Sequence, residues 1–378
     1  MATEPLRVLH VAAGNLYGGV EVLLATLLRR RDLFVGSRHA LALCFEGRLS
    51  AELETLGARP LLLGATRVRK PWSVFFARTR LAHALHDFDL VLCHSAWSHA
   101  LFAPVVRRAG LPLATFLHNE TSGWHWLERW AARTAPDLVI CNSEFTRQSA
   151  AQVFPGVRSA VWHPAVEVDR SQAAPHREAL RAELGVDPET TLIVQVGRFE
   201  RLKGHERHLR ALAQLRDQPP WHCVQVGEPQ SAAEKKYFDD LRRLTRELGI
   251  DRRVSFLGFR RDVAQILAAA DLYCQPNLRA DSFGLTLAEA LGAGVPVVTS
   301  ALGAAAELLG EDGILVRDDD ELRVALQELI DSPTRRRQLG AGGVARWRAV
   351  CDPERQFPAL ETVLAGVRSG PQPAHEAG

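Results

Sequence analysis

Short apolar runs alternate with helix-length segments along the first half of the chain. The apolar runs predict strands because each has four to six residues and ends near a turn signal. These runs are Arg7–Val11, Ala40–Phe45, Pro60–Leu63, Leu90–Cys93, Leu113–Leu117 and Leu138–Cys141. Helical spacing between them is clearest over Val20–Arg30, Val74–His86, Ser98–Arg108 and Trp124–Arg133. Unbroken apolar strands that alternate with helices favour a parallel sheet covered on both faces.

The segment 164–188 is polar and proline-rich, and it predicts a link between two domains. Beyond it the alternation of strands and helices begins again. We therefore predict an α/β protein with two doubly wound, Rossmann-like domains, spanning residues 1–170 and 171–352. A C-terminal helix of about 353–368 is expected to pack back on the first domain. Because ligands of such sheets bind beyond the carboxyl ends of the strands, we expect a site in a cleft between the facing domains.

Length and composition agree with this picture and exclude several classes of protein. A chain of 378 residues with 47% hydrophobic and 24% charged residues is neither disordered, collagenous nor dependent on disulfides. A net charge of only +2 argues against a general nucleic-acid binder. Residues 1–165 nevertheless hold 18 Lys and Arg against 12 Asp and Glu, which indicates an anionic partner for the first domain.

Cysteine spacing and the apolar runs predict where the protein resides. None of the six cysteines forms a CxxC pair, so buried, reduced thiols in the cytoplasm are expected. The first residues lack the charge pattern of an export signal, and no apolar stretch is long enough to span a membrane. We expect a cytoplasmic protein, with peripheral attachment to the inner face of the membrane as an option.

Two glycine-containing turns follow predicted strands and could approach a phosphate. The turn Gly14-x3-Gly18-Gly19 opens a helix but matches neither GxGxxG nor the P-loop, so its glycines alone favour a tight turn without a ligand. In the second domain, Arg198 and Lys203 follow the first strand and lie just before a helix. Singly each would be a solvated cation, but together they suit a diphosphate.

The segment 280–291, ADSFGLTLAEAL, adds a more specific signal. Asp281 ends a loop, and Glu289 lies inside the helix that begins near Gly284. The helix start offers backbone N–H groups and a positive dipole end for phosphate oxygens. The apolar neighbours of Glu289 predict that this carboxylate is buried, and a buried carboxylate needs partners such as the vicinal hydroxyls of a ribose.

The sequence VGRFERLKG, the Asp281-x7-Glu289 box and the early Gly-Gly turn together resemble glycosyltransferase family 4, retaining enzymes of the GT-B architecture. The resemblance implies a nucleotide-sugar donor held mainly by the second domain. It assigns Arg198 and Lys203 to the diphosphate, Glu289 to the ribose, and His118, with Asp281, to the donor sugar. The remaining donor-binding residues that it implies are Gly18, Gly19, Ser282, Phe283, Gly284 and Leu285. The family usually has Glu where this chain has Asp281, which bears on the identity of the sugar.

The resemblance implies transfer of a sugar from a nucleoside diphosphate to a hydroxyl acceptor, such as a glycolipid or polysaccharide precursor. A UDP-sugar is the first expectation and a GDP-sugar the second. No metal and no cofactor beyond the nucleotide-sugar are expected, because cations and a helix terminus meet the leaving diphosphate. Two alternatives remain open: a nucleotide-sugar epimerase or sugar phosphorylase of the same fold, and an inactive nucleotide-sugar-binding partner subunit.

Other motifs give weaker signals. The acidic run Asp318–Asp320 predicts a helix start rather than a metal site, and the histidine pairs lack a third ligand. The segment Arg67–Arg80 has five cations, three aromatic residues and no acidic residue. It is either a solvated helix face with its aromatics in the core, or a surface for anionic lipid or an anionic acceptor. Trp124-His125-Trp126 is suited equally to sugar stacking and to a core or helix-start role.

Overall fold

The computed structural model describes residues 4–169, 173–215, 217 and 219–368. The chain divides into two compact units. The first unit comprises Met1–Ala165 together with Cys351–Gly378, and the second comprises Val166–Val350. The polar segment that predicts a link therefore contributes a helix to the second unit.

The described strands of the first unit form one seven-stranded parallel sheet. The strands are β1 Leu6–Ala12, β2 Ser37–Leu43, β3 Leu61–Leu62, β4 Leu90–His94, β5 Leu113–Leu117, β6 Leu138–Cys141 and β7 Ser159–Val161. Their order across the sheet is β3-β2-β1-β4-β5-β6-β7, so the direction of winding reverses between β1 and β4. Every residue of β4, β5 and β6 is buried, as expected for strands covered on both faces.

The second unit repeats this plan with six parallel strands among its described residues. The strands are β8 Thr191–Val196, β9 Trp221–Val226, β10 Val254–Gly258, β11 Leu272–Gln275, β12 Val297–Ser300 and β13 Ile314–Val316. Their order is β10-β9-β8-β11-β12-β13, and the winding reverses between β8 and β11. The α/β fold with two doubly wound sheets is as the sequence predicts.

The helices connect the strands and cover both sheets. In the first part of the chain they are α1 Gly19–Arg29, α2 Arg48–Thr55, α3 Pro71–Ala84, α4 Ser95–Arg108, α5 Trp126–Ala131 and α6 Glu144–Ala150. The later helices are α7 Ala173–Leu184, α8 His205–Ala213, α9 Ala232–Glu247, α10 Val263–Ala269, α11 Leu285–Ala293, α12 Ala305–Leu309, α13 Asp319–Asp331, α14 Pro333–Val350 and α15 Pro353–Arg368. Short 3-10 turns occupy Arg31–Leu33, Leu85–Asp87, Arg201–Lys203 and Asp251–Arg253.

The C-terminal helix α15 packs into the core of the first unit. Its residues Phe357, Leu360 and Leu364 are almost fully buried and belong to the same apolar cluster as β1 and α1. Each such side chain stabilises the packing by roughly 1.5–3 kcal/mol. The indole of Trp162 also donates to the carbonyl of Gln356 at 2.7 Å.

One difference from the predicted elements concerns the edge of the first sheet. The strand β7 is only half-buried, so it lacks the apolar run that marks inner strands.

All six cysteines are buried free thiols, as the sequence predicts. In the part of the chain that the structure describes, no helix is long and apolar enough to cross a membrane.

Candidate functional site

The loops after the adjacent strands β8 and β11 carry most of the predicted site residues of the second unit. The winding of the sheet reverses between these two strands. In open α/β sheets, ligands bind outside the carboxyl ends of the strands at such a reversal. The loop after β8 spans residues 197–204, and the loop after β11 spans residues 276–284.

These two loops touch through their backbones. Gly204 has φ +70°, and a Cβ there would lie 1.9 Å from the carbonyl oxygen of Pro276. The N–H of Leu278 also donates to the carbonyl of Leu202 at 2.8 Å. Only glycine permits both the left-handed conformation and this close approach. The loops that carry Lys203 and Asp281 therefore hold a fixed position relative to each other.

Lys203 and Asp281 form an ion pair. The distance from Lys203 Nζ to Asp281 Oδ2 is 2.9 Å, and the two side chains are 23% and 24% exposed. Gln195 Nε2 donates to the carbonyl of Lys203, and the carbonyl of Asp281 accepts from the N–H of Ala304. The resemblance gives these two side chains separate roles, whereas the structure brings their charges into direct contact.

Arg198 is also paired with carboxylates. Its Nη2 lies 2.5 Å from Glu234 Oε1 and its Nη1 lies 3.1 Å from Glu200 Oε1, while the side chain is 48% exposed. Burial alone would raise the pKa of Glu234. Hydrogen bonds from the N–H of Gln230 and from Arg198 and Ser231 instead hold that pKa below its usual value. Glu234 is therefore an ionised partner of Arg198.

The helix α11 begins at the predicted place, after a left-handed glycine. Gly284 has φ +89°, and a Cβ there would lie 2.8 Å from Leu287 Cδ1. Phe283 is buried, whereas Ser282 and Leu285 are partly exposed. The first N–H groups of a helix lack intrahelical acceptors, so this segment offers donors to an anion.

Glu289 lies in the second turn of α11 and is half-buried among the fully buried Ala288, Ala290 and Leu291. Burial raises its pKa to about 7. Among the described residues, none forms a hydrogen bond or an ion pair with this carboxylate. The sequence predicts the burial, and the structure shows a carboxylate in need of donors.

The glycine turn of the first unit follows β1, at the reversal of that sheet. Gly14 has φ +82°, and a Cβ there would lie 2.9 Å from the carbonyl oxygen of Phe45. Gly18 differs, because its φ of −151° is ordinary extended backbone and a Cβ would meet only Glu21 Oε2, at 3.8 Å. The N–H of Gly18 donates to that carboxylate at 3.0 Å, and Gly19 begins α1. Gly14 is thus needed for the turn, whereas neither conformation nor packing requires glycine at 18.

His118 follows β5 in the same sheet, two strands away from β1. Its ring is buried, and its Nε2 lies 2.9 Å from Nδ1 of His94. Asn142 Nδ2 donates to the carbonyl of His118 at 2.9 Å. Burial lowers the pKa of His118 to about 3, so the imidazole is neutral. The first unit therefore places a neutral histidine and the Gly18 turn at the carboxyl ends of its strands.

Three features of the site were not found by sequence reasoning. Ser231 caps α9, because its Oγ accepts from the N–H of Glu234, and the pattern Ser231-x-x-Glu234 is a capping-box signal that could have identified Glu234. No sequence pattern identifies Glu200 as a residue of the site. Ser95, directly after β4, has φ +84°, and among the described residues it alone is a non-glycine residue with positive φ. Such strain is common at functional sites, but no local sequence rule predicts it.

The acidic run at the start of α13 has the structural role that the sequence predicts. Asp318 Oδ1 accepts from the N–H of Glu321 at 2.8 Å, and Asp319 pairs with Arg207 at 2.5 Å. His205 and His208 lie buried among glutamine side chains. In the described ranges, no group of three or more His, Cys, Asp or Glu side chains has the arrangement of a metal site.

The aromatic residues of the basic segment are exposed. Trp72, Phe75 and Phe76 on α3 all expose more than half of their surface, so the interpretation that places them in the core is wrong. Trp124 and Trp126 are 86% and 54% exposed. Trp126 begins α5, so it has a helix-start position and no core role.

Cations lie beside this aromatic surface. Arg67, Arg69 and Lys70 are exposed, and no acidic side chain of the described residues forms an ion pair with them. Arg78 differs, because its Nε donates to the carbonyl of Leu101 at 2.6 Å. A groove of about 710 Å³ lies alongside, between α3, α4 and α5. The segment thus combines apolar rings, unpaired positive charge and a recess.

Two family models match the chain in the same two parts that the fold separates. The model for "Glycosyltransferase Family 4" matches residues 17–170, and the model for "Glycosyl transferases group 1" matches residues 176–345. A GDP-mannose-dependent alpha-(1-6)-phosphatidylinositol monomannoside mannosyltransferase of Mycolicibacterium smegmatis is 30% identical over 285 residues. That match covers 68% of this chain and 71% of the relative.

The chain belongs to glycosyltransferase family 4. Another similar member is a D-inositol 3-phosphate glycosyltransferase of Corynebacterium diphtheriae, 32% identical over 207 residues. That match covers 52% of this chain but only 46% of the relative, so the chain spans less than half of that protein.

Solved structures share the fold over nearly the whole family 4 chain. A crystal structure of Anabaena HepE in complex with UDP and glucose has a TM-score of 0.82 at 24% identity. It covers 96% of this chain and 100% of that one. WaaG, a glycosyltransferase involved in lipopolysaccharide biosynthesis, has a TM-score of 0.69 at 18% identity. That match covers 95% of this chain and 100% of WaaG. These likenesses establish the GT-B fold.

Proposed function

We propose that this protein is a retaining glycosyltransferase that moves a sugar from a nucleoside diphosphate to a hydroxyl group. The observation that carries the proposal is the unpartnered, half-buried carboxylate of Glu289. It lies on a helix whose N-terminus follows the same loop as Asp281, while the paired cations Arg198 and Lys203 occupy the neighbouring loop. The carboxylate suits the hydroxyls of a ribose. The N-terminus of the helix and the two cations suit the negative charge of a diphosphate.

The nucleotide end of the donor would satisfy Glu289. Two vicinal hydroxyls of a ribose are donors, and an ionised carboxylate accepts a hydrogen bond on each oxygen. Charge-assisted hydrogen bonds of this kind are stronger than neutral ones. The desolvation that raises the pKa of Glu289 would then be offset by the bound ribose.

The diphosphate end would compete with carboxylates for the two cations. Arg198 is held by Glu200 and Glu234, and Lys203 is held by Asp281. These pairs keep the cations oriented before the donor arrives. A diphosphate that carries more charge than a carboxylate would then draw both cations toward its oxygens.

The reaction would be a front-face displacement. The bond between the anomeric carbon and the β-phosphate oxygen breaks, and the acceptor oxygen bonds to the same face of that carbon. The acceptor's proton passes to the departing diphosphate oxygen, so configuration is retained. Arg198, Lys203 and the N-terminus of α11 would stabilise the charge that grows on this diphosphate. We propose that no divalent metal is required, because these groups supply the positive charge.

The donor and the acceptor are proposed by class. UDP-sugars and GDP-sugars both fit, since HepE was crystallised with UDP and the mycolicibacterial relative is GDP-mannose-dependent. The exposed rings of Trp72, Phe75 and Phe76 beside unpaired cations favour an acceptor at an anionic lipid surface. The protein would then act in the cytoplasm at the inner face of the membrane.

A panel of nucleotide sugars tests the proposal. The protein is incubated with UDP-, GDP- and ADP-sugars, and slow release of free sugar is followed, with Glu289→Ala as the comparison that should bind every donor more weakly. Release of free sugar with retained anomeric configuration supports the transferase. Interconversion of the donor sugar indicates an epimerase, phosphate-dependent release indicates a phosphorylase, and binding without turnover indicates an inactive partner subunit.

A further inference from the structure

Four histidines lie in a row across the sheet of the first unit. His39 lies in β2, His10 in β1 and His94 in β4, and His118 directly follows β5, the next strand of the sheet. Each ring nitrogen that faces a neighbour is within hydrogen-bond distance. The distances are 2.8 Å from His39 Nδ1 to His10 Nε2, and 2.9 Å both from His10 Nδ1 to His94 Nε2 and from His94 Nδ1 to His118 Nε2.

The row continues beyond His39 to a carboxylate on the C-terminal helix. His39 Nε2 lies 2.8 Å from Ser37 Oγ, and Ser37 Oγ donates to Glu361 Oε1 at 2.6 Å. Glu361 also accepts from the N–H of Gly36 at 2.8 Å. A continuous series of hydrogen bonds therefore joins Glu361 on α15 to His118, which directly follows β5.

The carboxylate decides the direction of every bond in this series. An ionised carboxylate only accepts, so the hydroxyl of Ser37 must donate to Glu361 and accept from His39 Nε2–H. A neutral imidazole has one donor and one acceptor nitrogen, so Nδ1 of His39 accepts from His10 Nε2–H. In the same way, Nδ1 of His10 accepts from His94 Nε2–H, and Nδ1 of His94 accepts from His118 Nε2–H.

The histidines meet the condition that this count requires. Burial lowers the pKa of His10 and of His118 to about 3, and those of His39 and His94 well below the usual value. Each ring therefore carries a single ring proton at neutral pH. At the far end, Nδ1 of His118 keeps its lone pair, and no partner for it occurs among the described residues.

We propose that Glu361 is a positioning residue that, through Ser37 and the histidine row, fixes His118 as the Nε2–H tautomer. Nδ1 of His118 then accepts a hydrogen bond from a hydroxyl of the donor sugar. The second statement rests on the proposed transferase function, whereas the tautomer depends only on the first unit. In the opposite tautomer, Nδ1–H would be a donor, so the hydroxyl could no longer donate to this nitrogen and its proton would lose its acceptor.

The experiment is NMR of protein labelled with ¹⁵N-histidine, in which long-range couplings distinguish protonated from bare ring nitrogens. The four histidines are assigned from single substitutions. We expect bare Nδ1 and protonated Nε2 for all four in the parent protein. In Glu361→Ala, the hydroxyl of Ser37 is free to donate to His39, so His118 should become largely Nδ1–H or a mixture of tautomers.

Two variants control for folding and for charge. Glu361→Gln keeps an acceptor oxygen for Ser37, so it should keep the parental tautomers although the charge is lost. Glu354→Ala removes another carboxylate of α15, one that lies near Arg30 rather than Ser37, and should leave the row unchanged. A parental His118 tautomer in folded Glu361→Ala, or Nδ1–H on His118 in the parent, would overturn the proposal.

Kinetics separate the tautomer from its use. If both statements hold, Glu361→Ala lowers kcat/KM for the donor by about fivefold, the loss expected for one neutral hydrogen bond. Glu361→Ala should bind the bare nucleoside diphosphate as tightly as the parent does. Glu361→Gln should keep the parental kcat/KM for the donor. A changed tautomer with unchanged turnover would overturn the contact with the sugar. The expected tautomers in a protein that turns over no donor would support the row and contradict the transferase function.

Discussion

Nζ of Lys203 lies 2.9 Å from Oδ2 of Asp281, so the cation predicted to bind the diphosphate and the carboxylate predicted to bind the sugar pair with each other. The pair is about one quarter exposed, so solvent screens it only in part. Any donor that binds Lys203 must compete with this carboxylate. We therefore expect the shorter side chain of Asp, in place of the usual Glu of the family, to affect binding of the nucleotide as well as of the sugar.

Removal of the Asp281 charge should release Lys203. We expect Asp281→Asn to bind bare nucleoside diphosphate at least as tightly as the parent, while turnover of the donor falls because the sugar loses a carboxylate. Glu289→Ala should weaken all nucleotides by about 1.5–3 kcal/mol. Calorimetric titration of both variants with one nucleotide checks this. Equal losses of affinity in the two variants would show that the two carboxylates are wrongly placed.

The two cations should matter most in the transition state. We expect Arg198→Ala or Lys203→Ala to lower kcat/KM for the donor by roughly 10²-fold, because each would stabilise charge on the leaving diphosphate. Arg201→Ala is the matched control, since Arg201 lies in the same loop with a 70% exposed side chain. Addition of EDTA should change little. Loss of activity in EDTA with recovery in Mn²⁺ would contradict the metal-free proposal.

Binding of nucleotide should release a proton from Glu289. Its pKa is raised from 4.5 to about 7 by burial, and donation from ribose hydroxyls favours the ionised form. Affinity should therefore rise as the pH increases from about 5 to above 7. Calorimetry in two buffers with different ionisation enthalpies measures the released proton, which Glu289→Gln should not release.

The same shift has an opposite consequence for the free energy of unfolding. Since the folded pKa of Glu289 lies above the unfolded value, the contribution of this group is fully present below about pH 4.5. It is lost as the pH rises through about 7. Glu289→Gln should therefore be less sensitive to pH than the parent over that range. A parental slope of stability against pH in this variant would contradict the raised pKa.

The exposed cations beside the aromatic rings should bind anionic vesicles. We expect the triple change Arg67→Gln, Arg69→Gln and Lys70→Gln to weaken binding to phosphatidylserine vesicles by about 1 kcal/mol per charge. Arg78 is left intact because it donates to the carbonyl of Leu101. Donor hydrolysis should persist in this variant.

The matched control for this surface removes three exposed cations of the second unit, Lys235, Lys236 and Arg252, by changes to Gln. Sedimentation with vesicles compares it with the triple variant described above. Equal sedimentation of the parent and both variants would count against a membrane-facing role.

Two glycines of the first turn should respond differently to alanine. Gly14→Ala should lower the free energy of unfolding by at least about 1–2 kcal/mol, because φ is positive and Phe45 O lies within 2.9 Å of the added Cβ. Gly18→Ala should leave the free energy of unfolding nearly unchanged and reduce donor turnover. Chemical denaturation and donor hydrolysis of both variants measure this, and a large loss of stability in Gly18→Ala would show that its glycine is structural.

Local pattern determined the elements and the type of fold. The apolar runs at Leu113–Leu117 and Leu138–Cys141 coincide with strands residue for residue, because strands buried on both faces tolerate few polar residues. The half-buried edge strand Ser159–Val161 gave no such signal. Burial around Glu289 was likewise predictable, since its immediate neighbours on the helix are apolar.

Sequence by itself determined which residues follow which strand, and so it placed Arg198, Lys203 and Asp281 at the carboxyl ends of one sheet. Only the tertiary structure decided how these charges pair, because residues that are 78 positions apart meet through the crossing of two loops. The same holds for the histidine row. Each histidine alone looks like an ordinary buried residue, and the order β2-β1-β4-β5, which no local pattern encodes, aligns them with Glu361.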